Sequence, residues 1–230
     1  MNPIMRSAAG AFCVLALAGI LAVPPASGQA GEHSGKPDHY DHAFRDAEAW
    51  SKTFDDPARD RWQQPERVIA ALQIAPDADV ADIGSGTGYF SVRLGKALPR
   101  GRVIGIDIQP DMVRFLNERA ARERLPNVMS RLGTAEDPGI AAESVDLVLM
   151  VDTYHHIGAR ERYFEKVRAG LRPGGRLAIV DFRPETALGP PRHFRVTESQ
   201  VKAEMAKAGF GFVETVDILA DQFILVFRRP

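Results

Sequence analysis

The sequence predicts an α/β fold in which a mostly parallel seven-stranded sheet ends in an antiparallel C-terminal hairpin strand. From residue 78 onwards, short apolar runs alternate with amphipathic stretches, a pattern typical of β-α-β units on a parallel sheet. The first run ends at Ile83 and is followed at once by a glycine-rich turn over residues 84–88. The last two runs are separated only by Asp221 and its neighbours, which is too short for a parallel crossover and therefore predicts a hairpin.

Each element follows from this alternation. The final helix has the clearest local signals, because Thr197 is followed three residues later by Gln200, a capping pattern, and Gly209 marks its end. Helices that connect parallel strands lie on both faces of the sheet, so the architecture is a Rossmann-like three-layer sandwich. Strands are predicted at residues 79–83, 102–107, 128–132, 145–151, 176–182, 212–219 and 222–228, and helices at 89–98, 110–124, 159–171 and 198–208.

Residues 44–75 are predicted to form a helical segment that precedes the sheet. A helix starts at Asp56-Pro57, since proline is favoured at the first helical position, and continues to Leu72. The aromatic side chains of this segment either form a lid over a binding site or pack on a face of the sheet. They are Phe44, Trp50, Phe54 and Trp62.

The first thirty residues differ from the rest of the chain. Arg6 precedes an apolar run over residues 8–23, and prolines and small residues follow, which is the arrangement of a secretory signal peptide. The chain is therefore expected to be exported, to the periplasm, with no membrane attachment after cleavage. The alternative is an uncleaved membrane anchor, since the run is only slightly shorter than the roughly 20 residues of a spanning helix.

Residues 31–43 read as a polar linker, and residues 44–230 as the globular domain. The linker contains His33, His39 and His42, and it is either a solvated tail or a weak metal site. The 230 residues, of which 45% are hydrophobic and 26% charged, provide one domain with a substantial core.

Charge and cysteine content exclude several classes of function. The formal net charge of −1 provides no basic field for a phosphate backbone, so nucleic acid is not expected as a partner. Cys13 is the only cysteine and lies in the predicted signal peptide, which leaves the domain without a thiolate nucleophile, a disulfide or a cysteine metal ligand. The oligomeric state is left open.

The glycine-rich turn is the first feature with chemical content. Glycines are needed where backbone torsions turn positive and where a ligand approaches the main chain. The next predicted strand ends in Asp107, where a carboxylate can accept hydrogen bonds from both hydroxyls of a ribose. The pair of features predicts a site for a nucleoside-containing ligand.

The spacing of the glycines favours S-adenosylmethionine over a dinucleotide. A dinucleotide turn follows G-x-G-x-x-G or -A, which would require a small residue at Tyr89, whereas the observed spacing is G-x-G-x-G. Asp82, immediately before the turn, suits a cationic sulfonium better than a pyrophosphate. A nicotinamide-dependent oxidoreductase is therefore disfavoured.

Four segments together resemble class I S-adenosylmethionine-dependent methyltransferases. Residues 82–88 look like motif I, residues 105–107 like the acidic strand end that holds the ribose, residues 144–149 like the fourth-strand motif, and residues 171–175 like the turn before the fifth strand. The order and spacing match, and the resemblance extends to the methyltransferase-domain group that includes enzymes of ubiquinone and menaquinone biosynthesis.

The resemblance implies where the cofactor binds. The three glycines of the turn would line the methionine part, Asp107 the ribose, and Ile108 and Met112 the faces of the adenine. Thr134 replaces the aspartate that relatives often have, so adenine recognition is expected through backbone groups or Ala135. The residues implied in cofactor binding are Asp82, Gly84, Ser85, Gly86, Gly88, Asp107, Ile108, Met112, Thr134 and Ala135.

Residues 151–156 lie where such enzymes face the reacting methyl group. His155 and His156 are candidate general bases, because the ordinary pKa of histidine lies near working pH, and Asp152 is a further candidate. The alternative is that one histidine only packs against the cofactor. Other acid–base candidates are Tyr40, Asp181 and His193.

The expected activity is methyl transfer to a small-molecule acceptor, since the chain has no added recognition module and no basic groove. Arg192, His193 and Arg195 either bind an anionic substrate or cap the last helix. Methylation chemistries that need cysteine, such as arsenic capture by thiolates, are disfavoured. The alternative function is a non-catalytic protein of the same fold that binds S-adenosylmethionine or S-adenosylhomocysteine.

Overall fold

The structure, a computed structural model, describes residues 44–230. The predicted signal peptide, the linker with its histidines, and Tyr40 lie outside the described residues. Seven α-helices and seven strands are assigned within this range, together with two short 3-10 helices at Tyr154–His156 and Arg192–Phe194. The helices are α1 (Ala47–Phe54), α2 (Arg59–Gln63), α3 (Pro65–Ala71), α4 (Ser91–Ala97), α5 (Pro110–Arg122), α6 (Arg160–Gly170) and α7 (Glu198–Lys207), and the strands are β1 (Asp79–Ile83), β2 (Arg102–Asp107), β3 (Val128–Leu132), β4 (Val145–Val151), β5 (Leu171–Phe182), β6 (Gly211–Thr215) and β7 (Gln222–Arg228).

The sheet has the strand order β3-β2-β1-β4-β5-β7-β6. Strands β1 to β5 pair in parallel, and β7 pairs antiparallel with both β5 and β6. The predicted mostly parallel sheet with an antiparallel hairpin strand is therefore confirmed. The strand order reverses beside β1, and ligands of open α/β sheets bind in the crevice beyond the carboxyl ends of strands at such a point.

Side chains of each central strand alternate between two hydrophobic layers. In β7, Phe223, Leu225 and Phe227 belong to the layer that includes Phe164 of α6, whereas Ile224 lies in the opposite layer with α4 residues. Because both faces of the strands are covered, they consist almost entirely of buried residues. The three-layer sandwich is confirmed.

The predicted helix over residues 56–72 is wrong in one respect, because the structure divides it into α2 and α3. Gln64 lies between them with a left-handed φ of 47°. The residue before a proline is disfavoured in the α-helical region, and Pro65 begins α3 at its first position. The break lets α2 turn over the carboxyl ends of the strands.

The other differences concern element ends. Strand β6 ends at Thr215 rather than residue 219, although the N–H of Val216 still donates to the carbonyl of Ile224 at 2.9 Å. The cap predicted for α7 is confirmed, since the Thr197 hydroxyl accepts the N–H of Gln200 at 3.1 Å. Among residues 44–230, no helix has both the length and the apolar character that a membrane span requires.

Candidate active site

A cavity of about 700 Å³ lies at the carboxyl ends of β1, β2, β4 and β5. Its volume falls within the range of small-molecule sites. Of the ten residues implied in cofactor binding, all but Gly88 line it, and so do the three residues predicted as catalytic. They are Asp82, Gly84, Ser85, Gly86, Asp107, Ile108, Met112, Thr134, Ala135, Asp152, His155 and His156.

The glycine turn is held tightly between β1, β2 and the loop after β4. The N–H of Gly84 donates to the carbonyl of Ile106 at 2.8 Å. Gly84 has a φ of +75°, and a Cβ added there would stand 2.6 Å from Cγ2 of Thr153. Gly86 also has a positive φ, of +51°. Only glycine fits at position 84. Because it has no side chain, the main chain of the turn is open to the cavity.

Gly88 is the one residue implied in cofactor binding that does not line the cavity. Its φ is +91°, and a Cβ there would overlap the side chain of Leu116 in α5. Gly88 therefore allows helix α5 to pack against the turn. Its predicted contact with the cofactor stays a prediction.

Asp107 at the end of β2 fixes the turn to the strand. One carboxylate oxygen accepts the N–H of Gly86 at 2.8 Å, and the other accepts the N–H of Gln109 at 2.9 Å. Burial raises the pKa of this carboxyl above its ordinary value, and the two backbone donors oppose that shift. Asp107 thus lies at the cavity wall beside the backbone of Gly86.

Asp82 lies below the turn, at the inner end of the cavity. It is 3% exposed and accepts the Ser91 hydroxyl at 2.6 Å. Burial raises the pKa of Asp82 from 3.8 to about 6. A buried carboxylate with a single hydroxyl donor favours a nearby cation.

The residues expected around the adenine form the side of the cavity next to α5. Ile108 is 54% exposed, whereas Met112 is buried and packs with the aromatic side chains of the N-terminal segment. The Thr134 hydroxyl accepts the N–H of Asp137 at 2.9 Å, so it shapes the turn that presents Ala135. Ala135 is exposed and lines the cavity.

Helices α1 and α2 lie at this cavity, in the segment predicted to be a lid. All four aromatic side chains of the segment line it, and their action as a lid stays a prediction. Phe44 meets the rings of Trp50 and Phe54 at centroid distances of 5.0 and 5.4 Å, and Trp62 meets Phe182 at 5.8 Å. The lid therefore has an aromatic inner face.

Arg59 of α2 fastens the lid to the end of β4. Its guanidinium donates to Asp152 at 3.1 Å and to the carbonyl of Phe54 at 2.9 Å, and it lies 4.1 Å from the ring centre of Tyr89. Gln63 also donates to Asp152, at 3.0 Å, and to Gln222 at 2.9 Å. Burial raises the pKa of Asp152, and the charge of Arg59 opposes the shift.

Sequence reasoning named Asp152 but missed Arg59, Gln63 and Gln222. Asp152 was predicted as a catalytic residue, and the structure gives its carboxylate three side-chain donors from the lid and β7. A carboxylate so fully engaged is better suited to hold the lid than to accept a proton. Its catalytic role stays a prediction.

His155 forms a buried pair with Asp181 of β5. Nδ1 of His155 lies 2.9 and 3.0 Å from the two oxygens of Asp181, and the backbone N–H of His155 donates to the same carboxylate at 3.2 Å. The side chains are 4% and 2% exposed. Burial disfavours the imidazolium, but the charge and hydrogen bond of Asp181 outweigh it and raise the pKa of His155 above 6.5.

The other predicted acid–base groups differ in position. The ring of His156 lies 4.3 Å from that of His155 with the planes inclined by 39°, and it meets Phe44 edge-on at 5.6 Å, so it joins the site to the lid. His193 is exposed and does not line the cavity. Arg195 donates to the carbonyls of Pro190, Pro184 and Thr186, so its charge holds the loop above the cavity.

The cavity fits a nucleoside with a cationic methionine part. Glycine backbone lies open at one wall, and carboxylates stand at Asp82 and Asp107. The buried Thr87 hydroxyl lines the same cavity and makes no hydrogen bond to any residue that the structure describes. Within residues 44–230, no group of three or more His, Cys, Asp or Glu is placed to hold a metal ion.

The fold and the site define the class of S-adenosylmethionine-dependent methyltransferases. The family model described as "Methyltransferase domain" matches residues 74–220. The chain belongs to this methyltransferase family.

Individual proteins agree with the family. A solved structure titled as a SAM-dependent methyltransferase from Aquifex aeolicus is 25% identical to this chain. The match covers 80% of this chain and 99% of that one, with a TM-score of 0.74. The arsenite methyltransferase of Halobacterium salinarum is 32% identical over 64% of this chain and 40% of its own length. The erythromycin 3''-O-methyltransferase of Saccharopolyspora erythraea is 34% identical over 55% and 43%. The match thus spans less than half of either of these two relatives.

Proposed function

We propose that this chain transfers the methyl group of S-adenosylmethionine to a small-molecule acceptor. The observation that supports this best is that one cavity joins the glycine turn to the buried His155–Asp181 pair. Thr153, two residues before His155, packs directly against Gly84. A cofactor at the turn and an acceptor at the histidine would therefore be neighbours.

The turn side of the cavity would hold the cofactor. Asp107 would accept ribose hydroxyls, and Ile108 and Met112 would cover the adenine. The carboxylate of Asp82 would favour the positive charge of the methionine part. Bound there, the cofactor supplies a methyl group that is already activated by a sulfonium, so the protein needs only to position the acceptor and remove its proton.

His155 is suited to remove that proton. In the neutral ring, Nδ1–H would donate a hydrogen bond to Asp181, and Nε2 would then be the basic nitrogen. The same carboxylate stabilises the imidazolium that forms, as the aspartate of a serine-protease triad does. His156 would then position the ring through its contact at 4.3 Å, and Asp152 would hold the lid.

The names of two relatives state small-molecule acceptors, whereas a third names a malonyl group on acyl-carrier protein. The name of the Saccharopolyspora relative states methylation of an oxygen of erythromycin. The name of the Halobacterium relative states arsenite as its substrate. Arsenic capture by thiolates does not suit this chain, whose one cysteine, Cys13, precedes the catalytic domain.

Calorimetric titration of the full chain with S-adenosylmethionine, S-adenosylhomocysteine and NAD tests the proposal. We expect both sulfur compounds to bind and NAD not to bind. Asp107→Ala should weaken both by at least about tenfold, because it removes the ribose acceptor and the anchor of Gly86. Asp217→Ala, at an exposed position, is the control. NAD binding alone would end the methyltransferase proposal, and cofactor binding without transfer to any acceptor would favour the non-catalytic alternative.

We also propose that residues 1–30 direct export to the periplasm. The support is the sequence of a charged start, an apolar run and a small-residue exit. Intact mass of the native protein tests it. A mass that matches loss of about thirty residues, in a periplasmic fraction, is the expected result. A full-length mass in the membrane fraction would indicate the anchor instead.

A further inference from the structure

We propose that the acceptor is an uncharged aromatic compound that presents a hydroxyl group, in chemical class a phenol. The proposal rests on the function proposed above and concerns the histidine side of the same cavity. Three independent features of that side lead to it. These are the aromatic side chains that line it, the arginine whose guanidinium is already hydrogen-bonded, and the histidine that would accept the proton.

Flat apolar surfaces surround His155. The ring of Phe182 lies 6.5 Å from that of His155, and Trp62 lies 5.8 Å from Phe182 with the planes inclined by 35°. Pro190 and Pro191 line the cavity beside them. Aromatic rings favour offset or edge contacts with another ring, so these walls suit a planar acceptor better than a flexible polar one.

The charges of the cavity disfavour an anionic acceptor. Among the described residues that line it, Arg59 is the only lysine or arginine. Its guanidinium is engaged by Asp152, Gln63 and the carbonyl of Phe54, and it is stacked on Tyr89. An acceptor carboxylate or phosphate would therefore lose its hydration without an available arginine or lysine to pair with it.

The carboxylates of the cavity disfavour methyl transfer to an amine. Carboxylates stand at Asp82, Asp107 and Asp152, and they stabilise an ammonium, whose nitrogen has no lone pair for the methyl group. A phenol remains neutral at physiological pH, because its pKa lies near about 10, as for tyrosine. It is acidic enough to lose its proton to a histidine as the new bond forms.

Methyl transfer to the phenol would proceed in one step. A lone pair of the acceptor oxygen forms the bond to the methyl carbon, and the electron pair of the broken carbon–sulfur bond stays on sulfur. The hydroxyl proton moves to Nε2 of His155 and afterwards to solvent. The described charged groups that influence His155 are Asp181 of β5, Asp152 just after β4 and Arg160 of α6, and the tilted ring of His156 contacts it.

Three compounds with one ring system test the acceptor class: 2-naphthol, 2-naphthoate and protonated 2-naphthylmethylamine. Each is titrated calorimetrically into the full chain saturated with S-adenosylhomocysteine, and each is tested for methyl transfer with radiolabelled S-adenosylmethionine. We expect 2-naphthol to bind at least about tenfold more tightly than 2-naphthoate, since only the latter brings an unpaired charge. We expect a methyl ether as the product.

A gain of function sharpens the test. Asp152→Asn removes the carboxylate that engages Arg59, so 2-naphthoate should bind several-fold more tightly than to the wild type. Asp217→Asn, the matched exposed change, should leave the ratio as it is. Tighter binding of the naphthoate than of the naphthol by the wild type, methyl transfer to the amine, an unaltered naphthoate affinity in Asp152→Asn, or no ether formed by a chain that binds the cofactor would each overturn the acceptor class. Failure to bind S-adenosylmethionine at all would instead overturn the proposed function.

Discussion

Gly84 packs so closely against Thr153 that a Cβ on the glycine would stand 2.6 Å from Cγ2 of the threonine. The contact joins the turn after β1 to the loop after β4, and thus the expected cofactor side of the cavity to its histidine side. The two loops are therefore packed directly against each other. The contact also separates two reasons for a glycine, the backbone torsion and the space.

Gly84→Ala is expected to destabilise the protein more than Gly174→Ala. Both glycines have a φ of +75°, but an added Cβ at Gly174 meets nothing within 4 Å. Gly174→Ala should therefore cost about 1–2 kcal/mol, for the torsion alone. Gly84→Ala should cost about 1–3 kcal/mol more, because the overlap with Thr153 adds to it. Urea unfolding measures both.

The double change Gly84→Ala with Thr153→Gly provides the control. Compared with Thr153→Gly alone, the alanine at position 84 should lower the free energy of unfolding by about as much as Gly174→Ala does. Equal free energies of unfolding for the two single variants would show that space plays no part.

Arg59→Met is expected to loosen the lid. The methionine keeps much of the apolar contact with Tyr89 but removes both donors to Asp152 and Phe54. The protein should lose about 1–3 kcal/mol of stability, since the pair is largely but not wholly buried. Trp50 and Trp62 are the only tryptophans and both line the cavity, so their fluorescence should shift to longer wavelength.

Arg61→Met is the matched control, since Arg61 lies on the same helix and is exposed. It should change neither the fluorescence nor the stability by more than about 0.5 kcal/mol. Identical spectra for the two variants would contradict the role given to Arg59.

Features marked by neighbouring residues could be predicted from the sequence, whereas contacts between residues far apart along the chain could not. The strand ends at Ile83 and Asp107 have local signals, namely apolar runs, glycines and an acid, and the structure places them as expected. Arg59 and Asp152 are 93 residues apart, and Gln63 and Gln222 are 159 apart. No local pattern marks such partners, because their meeting depends on how the lid turns at Gln64.

The His155–Asp181 pair is an intermediate case. Both residues were predicted as acid–base candidates at strand ends, but not as partners. Their strands are neighbours in the sheet, with Val151 opposite Val180, so the carboxyl ends bring the two side chains together. The adjacency of β4 and β5 was predictable in principle from the parallel order, whereas the conformation of the loop after Val151 was not.

Asp181→Asn should lower the pKa of His155 and alter two pH profiles. Asp181 raises that pKa above 6.5 in the folded protein, so the pair contributes most stability below the unfolded value and loses it as pH rises through the folded value. The variant should therefore lose more stability at pH 6 than at pH 9, as measured by urea unfolding. The midpoint of kcat/KM against pH should move to lower pH, because the base is active when neutral.

His156→Gln tests whether the effect is specific to the paired histidine. It removes the neighbouring imidazole but leaves the bond between His155 and Asp181 in place. Its pH midpoint should stay close to that of the wild type even if turnover falls. A midpoint unchanged in Asp181→Asn would mean that the titrating base is another group.

Asp82 provides a prediction about binding and pH together. Burial raises its pKa from 3.8 to about 6, so the folded state holds the proton more tightly than the unfolded chain. Stability from this group is present below about pH 3.8 and is lost as pH rises through about 6. Asp82→Asn should therefore raise the free energy of unfolding at pH 8 by about 1–3 kcal/mol, reduced by the weaker bond to Ser91.

The same substitution should weaken binding of the cofactor, because the charged carboxylate of Asp82 attracts the cationic sulfonium and a neutral amide does not. In calorimetric titrations, wild-type affinity for S-adenosylmethionine should increase as pH rises from 5 to 7, and Asp82→Asn should show a weaker affinity that varies little over that range. Asp217→Asn should follow the wild type, since its side chain is 80% exposed. A variant that became more stable at pH 8 and also bound the cofactor more tightly would refute the electrostatic role of Asp82. The carboxylate would then have to be explained by its hydrogen bond to Ser91 alone.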